Sequence, residues 1–151
     1  MMSVIASRNP LGTFGLVLAV TALAAFSNLS QAQEATAPAM KSWQTGLYRT
    51  DLVQKDLDAT SGREVIQTRV DFEPGVAAPR HSHPGVEVAY VLKGTMQYEL
   101  EGQPPVTLKA GDSLFIPEGV AHLAKNIGKD QASELATYVV HKGKSLVDLK
   151  P

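Results

Sequence analysis

Three histidines and one glutamate in this chain have the types and spacing of metal ligands. His81 and His83 lie two residues apart, so on a β-strand their side chains point to the same face. A Pro-Gly pair follows and supplies a turn, and the strand after it carries Glu87 back alongside the histidines. His122 comes from a later segment, after a second Pro- and Gly-containing turn. Two imidazoles and a carboxylate from one predicted hairpin, with a distant imidazole, therefore converge on one point.

The energetics of burial favour a metal ion at this point. Two histidines in an HxH pattern are, on their own, more often exposed at the surface or hydrogen-bonded to other polar groups. That interpretation leaves Glu87 and His122 unexplained. Ionisable groups turned into an apolar interior lose water at a cost of several kcal/mol each. One divalent transition-metal ion offsets this cost, because neutral imidazole and carboxylate are its natural ligands. Iron, manganese, nickel, copper and zinc all accept this ligand set.

The surrounding sequence predicts an all-β fold. Glycine-containing turn signals recur every several residues after the first forty, and the runs between them have strand length. Glu64 to Phe72 and Thr95 to Leu100 alternate between apolar and polar residues, which is typical of half-buried strands. Val86 to Leu92, Ser113 to Ile116 and Leu135 to Val140 are more uniformly apolar, and we expect them to be buried strands. The pattern indicates an antiparallel barrel or sandwich.

The frame around the candidate ligands resembles a known family. Gly75 to Gly94 reads G-VAAPR-H-S-H-PGV-E-VAYVLK-G, which is similar to the first motif of the cupin superfamily, G-x5-H-x-H-x3,4-E-x6-G. Gly111 to Asn126 reads G-DSLFI-P-E-G-VA-H-LAK-N, which is similar to the second motif, G-x5-P-x-G-x2-H-x3-N. All ten fixed positions of the two motifs are present.

This resemblance implies both a fold and a ligand set. The fold is the cupin double-stranded β-helix, a jelly-roll barrel of six to eight antiparallel strands in a single domain. In metal-binding cupins the ligands occupy the positions of His81, His83, Glu87 and His122. Asn126 is expected to satisfy backbone groups in a turn rather than to bind metal.

Bulk composition excludes several classes of protein. The chain has 151 residues, the length of one domain, and a formal net charge of −1 with no basic cluster, so we expect no nucleic-acid partner. It has no cysteine, which excludes disulfides, thiolate ligands and a cysteine nucleophile.

The N-terminus has the three parts of a secretory signal. Arg8 is the first charged side chain, and Leu11 to Phe26 is a 16-residue apolar run. Small residues at Ser30 and Ala32 then form the −3 and −1 pattern of a signal-peptidase cleavage site. We therefore expect a signal peptide over residues 1–32, a flexible linker over 33–41 and the barrel domain over 42–151. The mature protein is expected to be periplasmic or secreted, with no stable membrane span, because the run is shorter than a spanning helix. An uncleaved N-terminal anchor is the alternative.

Other side chains are assigned lesser roles. His141, Arg80 and Arg69 are expected at the surface or in strand pairing. Trp43 and Tyr48 could either cover the barrel or pack across a dimer interface. Six residues are candidates to line a cavity or to form ordinary core: Phe72, Tyr90, Met96, Tyr98, Phe115 and Tyr138.

The site suggests a metal-dependent reaction. Four protein ligands on an octahedral ion leave about two positions open, which suits a dioxygenase-type oxidoreductase that acts on a small oxygenated molecule. Glu87 is the candidate catalytic residue, able to bind metal and accept a proton as its counterpart is thought to do in cupin flavonol dioxygenases.

Two other functions stay open at this stage. They are a non-catalytic metal-dependent module that binds a sugar or another small molecule, and a metal-dependent isomerase or decarboxylase. The sequence places no titratable group other than the ligands in the pocket, which weakens the case for an enzyme. By resemblance to small cupins, a homodimer is expected, with Trp43 to Val53 as the exchanged or covering strand.

Overall fold

The computed structural model describes residues 40–151, with side chains described from Gln44 onward. These residues form strands and no helix. The strands in chain order are β1 (Met40–Gln44), β2 (Leu47–Asp56), β3 (Arg63–Phe72), β4 (His81–Ser82), β5 (Gly85–Lys93), β6 (Thr95–Leu100), β7 (Val106–Lys109), β8 (Ser113–Ile116), β9 (His122–Asn126), β10 (Ala132–His141) and β11 (Asp148–Leu149).

The strands form two antiparallel sheets. The six-stranded sheet has the order β1-β2-β3-β10-β5-β8, and the five-stranded sheet has the order β11-β4-β9-β6-β7. This confirms the predicted all-β jelly-roll fold. The described residues form eleven strands rather than the six to eight expected, because the β1–β2 hairpin and the two-residue strands β4 and β11 extend the two sheets.

Alternating strands place one face of each sheet in the core. On β3, Thr68, Val70 and Phe72 are buried, and on β6 every second residue is buried, as the sequence pattern predicts. The buried apolar side chains of both sheets belong mainly to one cluster. Its largest members with almost no exposure are Leu47, Phe72, Val91, Met96, Tyr98 and Ile116.

The prediction that β5 and β8 are buried on both faces is wrong. Val88, Tyr90 and Leu92 on β5 and Phe115 on β8 are exposed by 42–57%. Val88 pairs with Phe115 in the ladder, so these side chains share the outer face of the six-stranded sheet. A two-sheet sandwich buries only inner faces, because no third layer covers the outside. Tyr90 and Phe115 therefore do not line an internal cavity.

The segment with the first three candidate ligands is not a paired hairpin. β4 belongs to the five-stranded sheet and β5 to the six-stranded sheet, so the chain crosses between sheets at Pro84 and Gly85. Gly85 begins β5 against β10, where an added Cβ would lie 2.2 Å from the carbonyl oxygen of Val139. Only glycine allows the backbone to approach this closely.

The turn glycines of the two motifs adopt the expected conformation. Gly94, Gly111 and Gly119 have φ values of 85°, 98° and 75°, in the region that side chains disfavour. Asn126 is fully buried; its side-chain amide donates to the carbonyl oxygens of Phe72 and Asp130 at 3.0 and 2.8 Å. Its predicted role in satisfying the backbone is confirmed.

The predicted signal peptide lies outside the described residues. β1 begins at Met40, within the predicted 33–41 linker. No helix among residues 40–151 has the length and hydrophobicity needed to cross a bilayer. Most of the Trp43 to Val53 segment lies in β1 and β2, and β2 pairs with β3 of its own chain. The homodimer stays a prediction.

We expect Gly85→Ala to lower the free energy of unfolding by about 3 kcal/mol, because the new methyl group meets backbone atoms of β10 that cannot move independently. The control is Gly75→Ala, where φ is +77° and no atom lies within 4 Å of the added Cβ. That variant should lose only about 1 kcal/mol through backbone strain. Urea unfolding measures both, and equal losses would contradict the close-approach argument.

Candidate metal centre

The structure brings all four predicted ligands to one buried point. His81 lies on β4, His83 follows that strand, Glu87 is on β5 and His122 begins β9. His81 pairs directly with His122 in the β4–β9 ladder. Each of the four side chains belongs to a residue no more than 6% exposed. The two sheets therefore supply the site jointly: three imidazoles from one side and a carboxylate from the other.

Backbone carbonyls orient all three imidazoles. The Nδ1 atoms of His81 and His83 lie 2.7 Å from the carbonyl oxygens of Pro79 and Leu146. The Nδ1 atom of His122 lies 3.0 Å from the carbonyl oxygen of Val120. A carbonyl only accepts, so each Nδ1 must carry the hydrogen, and in the neutral ring each Nε2 then carries the lone pair. This tautomer is the one that metal-ligating histidines adopt when a carbonyl supports them.

The distances between the facing atoms fit a shared cation. Candidate ligand atoms of the three histidines lie within 4.8 Å of one another. Glu87 Oε2 is 2.9 Å from His83 Nε2 and 3.3 Å from His122 Nε2. Bonds of about 2.1 Å at right angles place neighbouring ligand atoms about 3.0 Å apart.

Two of these atoms are buried without a hydrogen bond. His83 Nε2 and Glu87 Oε2 have no hydrogen-bond partner among the described residues, although only 2.9 Å separates them. With the Nδ1 hydrogen committed to Leu146, two acceptors face each other. A buried unsatisfied polar atom costs about 1–3 kcal/mol. A bound cation would satisfy both atoms at once, so the residues present fit one metal ion.

Burial and neighbouring groups shift the pKa values of two of the ligands, His81 and Glu87. Burial lowers the pKa of His81 to about 4, assisted by the neighbouring His122, so this imidazole is neutral at neutral pH. Burial alone would raise the pKa of Glu87, but hydrogen bonds and positive charge from His122 and His83, when these imidazoles are protonated, outweigh it and hold the pKa below its ordinary value. A bound cation would take their place beside the carboxylate. Neutral imidazole and ionised carboxylate are the forms that bind a metal.

Comparison with known proteins identifies the family. Residues 68–141, which include all four candidate ligands, match the family model described as "Cupin domain". This chain contains a cupin domain. Its fold agrees: a cupin-like protein from Thermotoga maritima superposes with a TM-score of 0.59 over 76% of this chain and 86% of that chain, at 24% identity.

The curated relatives of this cupin include plant oxidases. It is 34% identical to "Oxalate oxidase GF-3.8" of Triticum aestivum over 92 residues, 56% of this chain and 41% of the relative. The structure of a recombinant oxalate oxidase in complex with glycolate superposes with a TM-score of 0.58 at 26% identity, over 74% of this chain and 59% of that chain. The cupin thus spans less than half the length of the curated relatives it matches.

Another buried acid, Glu134, bonds a buried tyrosine, and sequence reasoning missed it. Glu134 on β10 is only 5% exposed, and its carboxyl group accepts a hydrogen bond from the hydroxyl of Tyr98. Burial raises the pKa of Glu134 to about 8, and the charge of Glu87 adds to the shift. The signal was present in the sequence, because Glu134 shares strand parity with Ala136 and Tyr138. The sequence reasoning placed no titratable group other than the ligands in the pocket, and the structure adds Glu134 to the buried interior.

Most of the residues to which the sequence assigned lesser roles lie away from the ligands. Tyr138 is the exception, since its ring centroid is 4.7 Å from that of His83. His141 lies at the surface, with its Nε2 atom 3.3 Å from Glu118. Arg80 donates to the carbonyl oxygen of Ala121 at 3.4 Å. Phe72, Met96 and Tyr98 are buried, as expected of core or cavity-lining side chains.

Glu134→Gln should stabilise the metal-free protein increasingly as pH rises. The folded carboxyl keeps its proton up to a pKa of about 8, whereas the unfolded one loses it near 4.5. The folded state therefore binds more protons between these values, and wild-type stability falls as pH rises through this window. Glutamine can still accept from Tyr98 but does not ionise.

We expect the variant's advantage in free energy of unfolding to grow by at least about 1 kcal/mol between pH 5 and pH 8. Chemical denaturation of chelator-treated protein at each pH measures it. Glu101→Gln in an exposed turn is the matched control and should show no such trend. An advantage independent of pH would contradict the assignment of a buried protonated acid.

Proposed function

We propose that this cupin is a metal-dependent oxidoreductase of oxidase or dioxygenase type, acting on a small oxygenated molecule. His81, His83, Glu87 and His122 are the proposed ligands of one divalent transition-metal ion. The observation that carries the proposal is the pair of buried acceptors, His83 Nε2 and Glu87 Oε2, which lie 2.9 Å apart with no hydrogen bond between them. Two such atoms held together argue for a cation between them.

The chain's own residues define what such a centre can do. The carbonyl-supported imidazoles hold three lone pairs in fixed directions, and Glu87 adds a negative charge. A divalent ion in this setting supplies Lewis acidity and, for redox-active metals, electron transfer. Four protein ligands leave about two positions of an octahedron for a small molecule. The ligand residues are no more than 6% exposed, which limits the access of water to the site.

Glu87 is the proposed catalytic residue. It is ionised at neutral pH, so it can hold the metal and also accept the acidic proton of a substrate such as an enediol, flavonol or diketone. The buried pair of Glu134 and Tyr98 favours an enzyme over a passive binding module, because a carboxyl kept inside a core lowers stability unless it serves another purpose. The similarity to oxalate oxidases supports the same reaction class.

Replacing both His81 and His83 with Ala should remove most of the bound metal, since two of four ligands are lost. The thermal midpoint of metal-loaded protein should also fall, because metal binding is linked to folding. The control is His141→Ala, which removes a surface histidine and should retain one metal ion per chain. Elemental analysis measures occupancy. Full occupancy in the double variant would rule out the assigned ligand set.

Glu87→Gln should lower oxygen consumption far more than it lowers metal occupancy. The amide oxygen can still contact a metal, but it cannot accept the substrate's proton. An oxygen electrode would screen the protein reconstituted separately with iron, manganese, nickel and copper, against small diketones, enediols, flavonols and oxalate. If no metal form consumes oxygen, while calorimetry detects a tight small-molecule ligand, the function is that of a binding module.

A further inference from the structure

One of the three imidazoles is oriented from a distant part of the chain. His81 and His122 each bond a carbonyl two residues earlier, at Pro79 and Val120, so their orientation is set locally. His83 instead bonds the carbonyl of Leu146, 63 residues further along, at 2.7 Å. Its orientation therefore depends on whether residues 144–150, the C-terminal strap, are docked.

The strap is docked by a few identifiable contacts. Its strand β11 pairs with β4, matching Asp148 with Ser82 and Leu149 with His81. The backbone N–H of Lys150 donates to the carbonyl oxygen of Arg80 at 2.9 Å. The Leu146 side chain packs against a small buried cluster of Ala136, Tyr138 and Val140. The strap thus contacts the backbone on which two candidate ligands are placed.

Open cavities flank the strap. One cavity of about 360 Å³ is lined by Ile66, Lys144 and Leu146 among others, and a second of about 370 Å³ is lined by His83, Lys144 and Asp148 among others. Lys144 lines both cavities. The strap borders both cavities and is short, so loss of one of its docking contacts should release it without unfolding the sheets.

We propose that the C-terminal strap is a positioning element of the metal centre, and that Leu146 is its anchor. When the strap is docked, the Leu146 carbonyl holds the hydrogen of His83 on Nδ1 and aims Nε2 at Glu87. When the strap is released, the His83 ring can rotate or change tautomer, and the centre loses one prearranged ligand. The inference rests on the metal site of the proposed function and not on any reaction.

Coupling of this kind is reciprocal. If docking of the strap strengthens metal binding, metal binding must strengthen docking by the same factor. Loss of a carbonyl that supports a metal-bound histidine typically weakens metal affinity by about 10- to 100-fold. The strap therefore has two measurable properties that must change together: metal affinity and protection of its backbone amides.

The main test compares two leucines of the strap. Leu146→Ser removes the anchor from its apolar contacts and should weaken Zn²⁺ affinity by about tenfold or more in chelator competition. Leu149→Ser makes the same chemical change at a position 66% exposed and should alter affinity by less than about twofold. Leu146→Met conserves volume and apolar contact, so it should restore wild-type affinity.

A second variant guards against misfolding of the first. Lys150→Pro removes the N–H that bonds Arg80, together with the lysine side chain that pairs with Asp148, and leaves the apolar contacts of Leu146 intact. It should also weaken Zn²⁺ binding, while far-ultraviolet circular dichroism stays that of the wild type. Hydrogen exchange of the wild type should show slower exchange over residues 145–150 after Zn²⁺ is added, by the same factor as the affinity change.

A spectroscopic readout separates positioning from general destabilisation. In Co²⁺-loaded protein, each imidazole bound through Nε2 gives a shifted exchangeable Nδ1–H resonance, so three are expected. Leu146→Ser should broaden one of them, that of His83, and leave those of His81 and His122 sharp. Broadening of all three together would overturn the assignment of Leu146 to His83.

The failure of this inference is distinguishable from that of the proposed site. A wild-type chain that binds neither Zn²⁺ nor Co²⁺ overturns the metal centre and the strap's role with it. Wild-type binding with unchanged affinity in both Leu146→Ser and Lys150→Pro overturns the strap's role alone. Unchanged hydrogen exchange over residues 145–150 after metal loading has the same consequence.

Discussion

The structure depends on keeping one carboxylate and three imidazoles out of water at a single point. None of these groups is buried without cost, and they lie between two sheets whose inner faces are otherwise apolar. Each imidazole has its Nδ1 atom bonded to a backbone carbonyl, and at His83 the Nε2 atom is left buried without a hydrogen bond, facing Glu87. The strands β4, β5 and β9, which carry or adjoin these four groups, are arranged so that the groups meet.

This requirement explains why the chain crosses between sheets where it does. Glu87 has to approach the histidines from the opposite sheet, and the crossing at Pro84 and Gly85 makes that approach within four residues. The close contact between Gly85 and Val139 holds the start of β5 against β10. The position of Glu87 on β5 thus depends on a backbone contact between Gly85 and Val139, in which no ligand side chain takes part.

The sequence predicted the fold class and the four converging residues, because strand alternation and motif spacing both constrain side chains directly. It did not predict that β5 and β8 expose one apolar face, since an apolar run looks the same whether one face or two are covered. Glu134 was missed because it begins a run that is otherwise apolar. The Leu146 carbonyl could not be found, because every residue has a carbonyl and no side-chain type marks it.

The division of the ligands between two sheets has a consequence for a chain that has no cysteine. A metal ion bound by His81, His83 and His122 on one sheet and by Glu87 on the other would cross-link the two sheets. In many small domains a disulfide provides this cross-link. Unlike a disulfide, such a cross-link is not broken by thiols or other reductants. Its strength instead follows the concentration of free metal, so the resistance of the barrel to heat would report the metal supply of its surroundings.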